Sequence, residues 1–89
     1  MPLTQHELEL RKIAVESIRR GLLPTEVPKS IWAGPGSGKS CSLCDRPIDR
    51  RETEYEFDAN LHNGAASTVR LHPQCHALWQ MEVARLAEN

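Results

Sequence analysis

Large aromatic side chains are nearly missing from this sequence: Trp32, Tyr55, Phe57 and Trp79 are the only ones in 89 residues. A chain of this length with so few large core pieces buries a marginal core, and domains of this size often rely on a metal or a disulfide. Disulfides are a poor answer here. Three cysteines cannot all pair within one chain. An odd count that includes a tight Cys-x-x-Cys points to a reducing compartment and to metal or redox use. An excess of one charge sign is missing too. Eleven basic residues against twelve acidic ones exert no global pull on DNA or on a membrane. No apolar run approaches the roughly 20 residues that span a bilayer. Residues 1–12, "MPLTQHELELRK", are charged early and lack an apolar segment, so no signal peptide is expected. The expectation is one small domain, 1–89, in the cytoplasm, with no membrane partner.

What is present falls into three parts. Residues 1–21 form an N-terminal helical part, with the helix itself over 4–20. Thr4 and Glu7 make a capping box, in which each side chain satisfies the other residue's free amide. Leu3 and Leu8 stand at staple positions, and Leu10, Ile13, Ala14 and Ile18 share one face. Gly21 supplies a left-handed C-terminal cap, and Pro24 prevents continuation. Residues 22–40 hold three Pro and three Gly and read as a linker, with Leu22, Leu23, Ile31 and Trp32 as anchors to the core. Residues 41–89 form the third part.

Within that part, 52–72 read as a β-hairpin. Glu52, Glu54, Glu56 and Asp58 alternate with Thr53, Tyr55, Phe57 and Ala59, which gives one wet and one buried face. A three-residue loop, His62, Asn63 and Gly64, sets Phe57 opposite Val69, Tyr55 opposite Leu71 and Glu56 opposite Arg70. Residues 73–88 read as a second helix. Pro73 stands at its first position, and Leu78, Trp79, Val83 and Leu86 lie on the buried side.

The chemistry lies in Cys41-x-x-Cys44 and, much later, His72-x-x-Cys75. Two ligand pairs, each separated by two residues, are what a tetrahedral zinc site uses. The first pair sits on a knuckle, a tight turn that aims both sulfurs at one point. The second straddles the start of the last helix, where free amides and the positive dipole end favour the Cys75 thiolate. His72 completes the spacing. His76 is the alternative fourth ligand, but neighbouring helical residues point about 100° apart, so it cannot easily join Cys75 at one metal. His76 could instead pack near the site or donate to a neighbouring carbonyl in support of it, while His6 and His62 read as solvated surface histidines. With four ligands filled, no position is left for water, and one structural Zn2+ per chain is expected. A thiol redox pair is the competing reading, but it would need a βαβ context. A catalytic zinc would need three cysteines plus water, and no carboxylate at motif spacing offers itself as a base.

The fold class that follows is α+β: a small zinc-stabilised treble-clef-like unit of knuckle, β-hairpin and C-terminal helix, with an added N-terminal helix. The stretch "CSLCDRPI", followed by "HPQC" and an aromatic, resembles the first zinc-binding half of LIM domains. Those domains place the ligand pairs closer together and follow with a second zinc half, whereas a helix follows here. The longer gap with "LHPQCHALW" is nearer to the spacing of the DNA-break-sensing finger of poly(ADP-ribose) polymerases, which is larger and basic. Over nearly the whole chain, the order Gly-rich loop, C-x-x-C, hairpin, H-x-x-C-helix resembles small bacterial zinc-binding proteins of unassigned function. That resemblance implies a treble-clef-like fold and a bacterial origin, but no activity.

Residues 33–40, "AGPGSGKS", match the permissive phosphate-loop pattern with Ala33 in place of its first Gly. Such a loop needs a buried strand before it and a helix after it. Pro28 and Lys29 interrupt the first, and Pro47 with the knuckle excludes the second, so no nucleotide is expected. The run reads instead as a flexible approach to the knuckle whose amides can serve the cysteine sulfurs. Arg19, Arg20, Lys39, Arg46, Arg50 and Arg51 could form a basic patch for nucleic acid. The row of acids on the first strand argues against it, and ion pairing on a solvated surface is the plainer account. The sequence therefore points to a non-catalytic zinc module that binds an unknown protein partner, with nucleic acid as the alternative.

Overall fold

The computed structural model describes residues 4–60 and 66–88. In chain order they form helix α1 (Gln5–Arg19), strands β1 (Trp32–Pro35), β2 (Thr53–Asn60) and β3 (Ala66–Leu71), and helix α2 (Pro73–Ala87). The sheet is antiparallel with order β1-β2-β3. The architecture is α+β, with the knuckle, hairpin and helix in treble-clef order.

Local chemistry explains where the helices begin and end. The Thr4 hydroxyl accepts from the Glu7 amide at 3.1 Å, and the Glu7 carboxylate accepts from the Thr4 amide at 3.0 Å. The bond from the Thr4 amide holds the Glu7 carboxyl below its usual range. At the other end Gly21 takes φ 75, the left-handed conformation that glycine adopts with no Cβ penalty. Pro73 opens α2, where its missing N–H leaves no bond unmade.

The hairpin has the expected register: Tyr55 opposite Leu71, Glu56 opposite Arg70 and Phe57 opposite Val69. Its loop residues, His62, Asn63 and Gly64, and the staple residue Leu3 lie outside the described residues. The buried face of the sheet packs on α2. Phe57 stacks on Trp79 with ring centroids 5.1 Å apart, and Trp79 is fully buried. Its indole N–H donates to the Pro24 carbonyl at 3.0 Å, which ties the chain after α1 to the core. Leu10, Ala14 and Ile18 of α1 and Leu78 and Val83 of α2 join the same cluster.

Several expectations need correction. The 22–40 linker contains a strand, β1. Its Gly and Pro hide it, yet both are tolerated at a sheet edge, where pairing with β2 supplies the order. Trp32 does not anchor to the core; it is 77% exposed, and Leu22 is also exposed. Ile13 and Leu86 are exposed as well, because the buried stripe of each helix is narrower than the spacing allows. Glu54, expected on the wet face, is buried. Glu82 was not expected inside, yet it is 1% exposed, between the guanidinium groups of Arg11 and Arg85.

Candidate metal centre

The two halves of the site come from two kinds of backbone. Residues 36–41 run antiparallel to 46–52 and carry the knuckle at their tip. Their rungs are Gly36 N–H to Glu52 O, Gly38 N–H to Ile48 O, Ile48 N–H to Lys39 O and Cys41 N–H to Arg46 O, all at 2.9 Å. The turn closes through the Asp45 amide onto the Cys41 carbonyl at 3.0 Å, with Asp45 in the left-handed region at φ 65. Aspartate is among the few non-glycine residues that visit this region readily. The Gly-rich run is therefore a bonded strand-like arm, not the loose approach expected. Gly36 is packed so closely that a Cβ there would lie 2.0 Å from the Asp49 carbonyl oxygen.

The second half is the β3–α2 corner. His72 stands in extended conformation just before α2, and Cys75 is the third helical residue. The knuckle is locked to this corner by Ser42, whose amide donates to the Arg70 carbonyl at 2.6 Å and whose hydroxyl accepts from the Arg70 amide at 3.1 Å.

These contacts bring one ligand atom each from Cys41, Cys44, His72 and Cys75 to within 4.8 Å of one another. A tetrahedron with metal–ligand bonds of about 2.0–2.3 Å has edges of about 3.3–3.8 Å. The Cys44 sulfur is 3.4 Å from His72 Nδ1, already at such an edge. The histidine is oriented from behind. Its Nε2 lies 3.2 Å from the Pro47 carbonyl oxygen, which can only accept, so Nε2 carries the proton and Nδ1 presents its lone pair to the sulfurs. A Glu52 carboxylate oxygen stands 3.6 Å from the same Nε2. Cys41, His72 and Cys75 are buried, and Cys44 is partly exposed.

The sulfurs are electrostatically in conflict. A hydrogen bond from Cys75, with the amides of Cys44, His72 and Leu43, holds Cys41 down at about 4. The same bond, burial, and the charges of Cys41 and Cys44 push Cys75 up. Cys75 therefore keeps its proton beside the Cys41 thiolate, and a cation bound among the sulfurs would take that proton's place. Three sulfurs and one imidazole at this spacing could hold a metal ion.

The structure separates the other candidates. His76 does not face the cluster. Its ring stacks on Tyr55 at 4.5 Å, and its Nε2 is buried without a partner, so it packs rather than donates. The phosphate-loop pattern is built from the exposed edge strand β1 and the arm below the knuckle, and no helix leaves it. The amide and hydroxyl of Ser37 hold the Glu54 carboxylate, at 3.1 and 2.7 Å. That contact satisfies the Glu54 carboxylate in its buried position. Of the basic residues, Arg19 pairs with Glu16 and Arg51 with Asp49, whereas Lys39, Arg46 and Arg50 form no ion pair among the described residues. Arg70 reaches Glu56 at 3.6 Å, as the register requires. Glu52 and Pro47 escaped sequence reasoning as supports of His72, because only the folded arm brings them behind the ring.

Among the described residues, no helix is long and apolar enough to cross a membrane. Comparison with protein-family models, with curated proteins and with solved structures finds no match.

Proposed function

We propose that the chain is a zinc module in which Cys41, Cys44, His72 and Cys75 bind one Zn2+ in a structural role, and that its surface serves protein interaction rather than catalysis. The observation that carries this reading is the convergence of four ligand atoms within 4.8 Å from two segments distant in sequence. Three sulfurs and one imidazole suit zinc by donor softness and by the tetrahedral count. Four protein ligands leave no position for a reacting water, which favours structure over chemistry. A thiol cluster of this kind also fits a reducing compartment such as the cytoplasm.

The test is metal content by elemental analysis of protein purified without added zinc, followed by chelation. About one zinc per chain, and unfolding on chelation, support the reading. A chain that folds equally well as Cys44→Ser, or after zinc is stripped, contradicts it. Nucleic-acid binding is the second reading, favoured by the exposed cations Lys39, Arg46 and Arg50 near the knuckle. It predicts a salt-sensitive gel shift, and no shift at low salt removes it.

A further inference from the structure

We infer that the open edge of β1 takes up an extended peptide segment bearing lysine or arginine, with Trp32 as the platform. This deepens the interaction reading above and rests on it. The two edges of the sheet differ. β3 is covered at Arg70 by Ser42 of the knuckle, which satisfies both its amide and its carbonyl. β1 pairs only with β2, and among the described residues no strand pairs with its other side.

Trp32 lies on this open edge and is 77% exposed, in a chain where aromatic surface is scarce. Beside it runs a groove of about 530 Å³ whose walls include Pro28, Lys29, Trp32, Glu56, Phe57 and Asp58. The outer face of the sheet sets the charge of the occupant. Trp32 is directly opposite Glu56, and Glu54, Glu56 and Asp58 share that face by strand alternation. Arg70 is divided between Glu54 at 3.9 Å and Glu56 at 3.6 Å, both long contacts. Asp58 is tied to the Thr68 hydroxyl, a neutral partner. Glu54 is buried and held by Ser37, so the carboxylates this face presents are Glu56, shared with Arg70, and Asp58. A cationic side chain placed over the indole meets both the ring face and the Glu56 carboxylate. A nucleic-acid backbone at the same place meets like charge.

An added strand supplies main-chain bonds to β1, and every second side chain of the peptide points to the Trp32 and Glu56 face. The edge is four residues long and ends at Pro35, which has no N–H to offer, so a short segment suffices.

The test is an amide NMR titration of the zinc-loaded full chain with ten-residue probes. One probe alternates lysine with valine, one alternates glutamate with valine, and one alternates lysine with proline, which cannot pair along an edge. The Lys-Val peptide should shift the Trp32 indole and the amides of residues 32–34, and the other two should not. Trp32→Ala should weaken binding roughly tenfold, and Glu56→Gln with Asp58→Asn should weaken it further. Both changes lie at the surface groove and leave the core intact. No shift at millimolar Lys-Val peptide overturns the inference. So does equal binding of the Glu-Val peptide, or shifts that depend on protein concentration and so reveal a second copy on the edge. Zinc is measured on the same sample. One zinc without β1 shifts sinks the docking site alone, whereas peptide binding by zinc-free chain sinks the metal reading alone.

Discussion

At its first turn α2 contributes Cys75, with His72 just before it, to a cluster of three sulfurs and an imidazole. Two turns later the same helix buries Glu82 between Arg11 and Arg85. Both places put charge inside a small core, but the charges are balanced differently. Glu82 receives Arg85 Nη2 at 2.8 Å and Arg85 Nε at 3.0 Å, along with Arg11, so the chain itself supplies the opposite charge. Around Cys75 the neighbours are further sulfurs, and the chain supplies only amides and the helix end. One end of α2 is complete as a polypeptide. The other gathers a Cys/His cluster that could hold a metal ion, and on the function proposed above the fold depends on that ion.

The sharpest way to break this contrast is to remove the metal ligands. Cys41→Ser is expected to abolish tight zinc binding and cooperative folding, since structural zinc contributes about 10–16 kcal/mol in small domains. Circular dichroism melting checks it, and a two-state melt close to wild type would overturn the contrast. Next in size is Gly36→Ala, beside the same centre. Its Cβ has no room against the backbone of Ile48 and Asp49. The expected loss is about 3 kcal/mol by urea unfolding in saturating zinc, at the top of the range for overpacking because backbone cannot swing aside as a side chain can.

At the other end of the helix, Arg11→Ala should cost about 2 kcal/mol, because it leaves a buried carboxylate with one partner instead of two. It should leave zinc affinity unchanged. Coupled losses of zinc affinity and stability would show that the two ends are not independent. Glu52→Gln is a finer probe. If the carboxylate helps orient His72, zinc affinity falls about tenfold in competition with a chromophoric chelator, with little change in the saturated melting temperature. An unchanged affinity assigns the orientation to the Pro47 carbonyl alone.

The smallest effect concerns acid. Burial holds His76 below the ordinary imidazole value. The unfolded chain therefore takes up this proton first, so stability is full above about pH 6.5 and falls as the pH drops below it. His76→Phe keeps a ring against Tyr55 and removes that loss. In saturating zinc its stability should decline less than wild type between about pH 6.5 and 5.5. Parallel curves contradict the assignment, since protonation of the metal ligands is common to both proteins.

The legible parts of this molecule are those in which neighbours in sequence determine the outcome. The Thr4–Glu7 box, Pro73 and Gly21 set helix ends within one turn. Parity along β2 and β3 set the register, because a one-residue slip would turn Phe57 and Val69 to water. The pairs Cys41–Cys44 and His72–Cys75 were readable because each spacing already matches what a tetrahedral site requires. The rest depends on distant partners. β1 is ordered by its pairing with β2, and the buried Glu54 carboxylate is satisfied by Ser37 from a distant part of the chain. Glu82 did leave a trace. It falls on the same helical stripe as Cys75, Leu78 and Trp79, and a charge on that stripe requires a partner such as Arg11. The exposure of Trp32 left none, since an aromatic in a short apolar run reads as core.

The most direct test of the metal-dependent end is titration of reduced, metal-free chain with cobalt(II), following the thiolate–cobalt absorption and far-ultraviolet circular dichroism together. The account predicts that a tetrahedral spectrum and the folded signal rise in parallel and saturate at one equivalent, with both lost in Cys44→Ser. A folded signal present before any cobalt is added, or saturation without a tetrahedral spectrum, would contradict it.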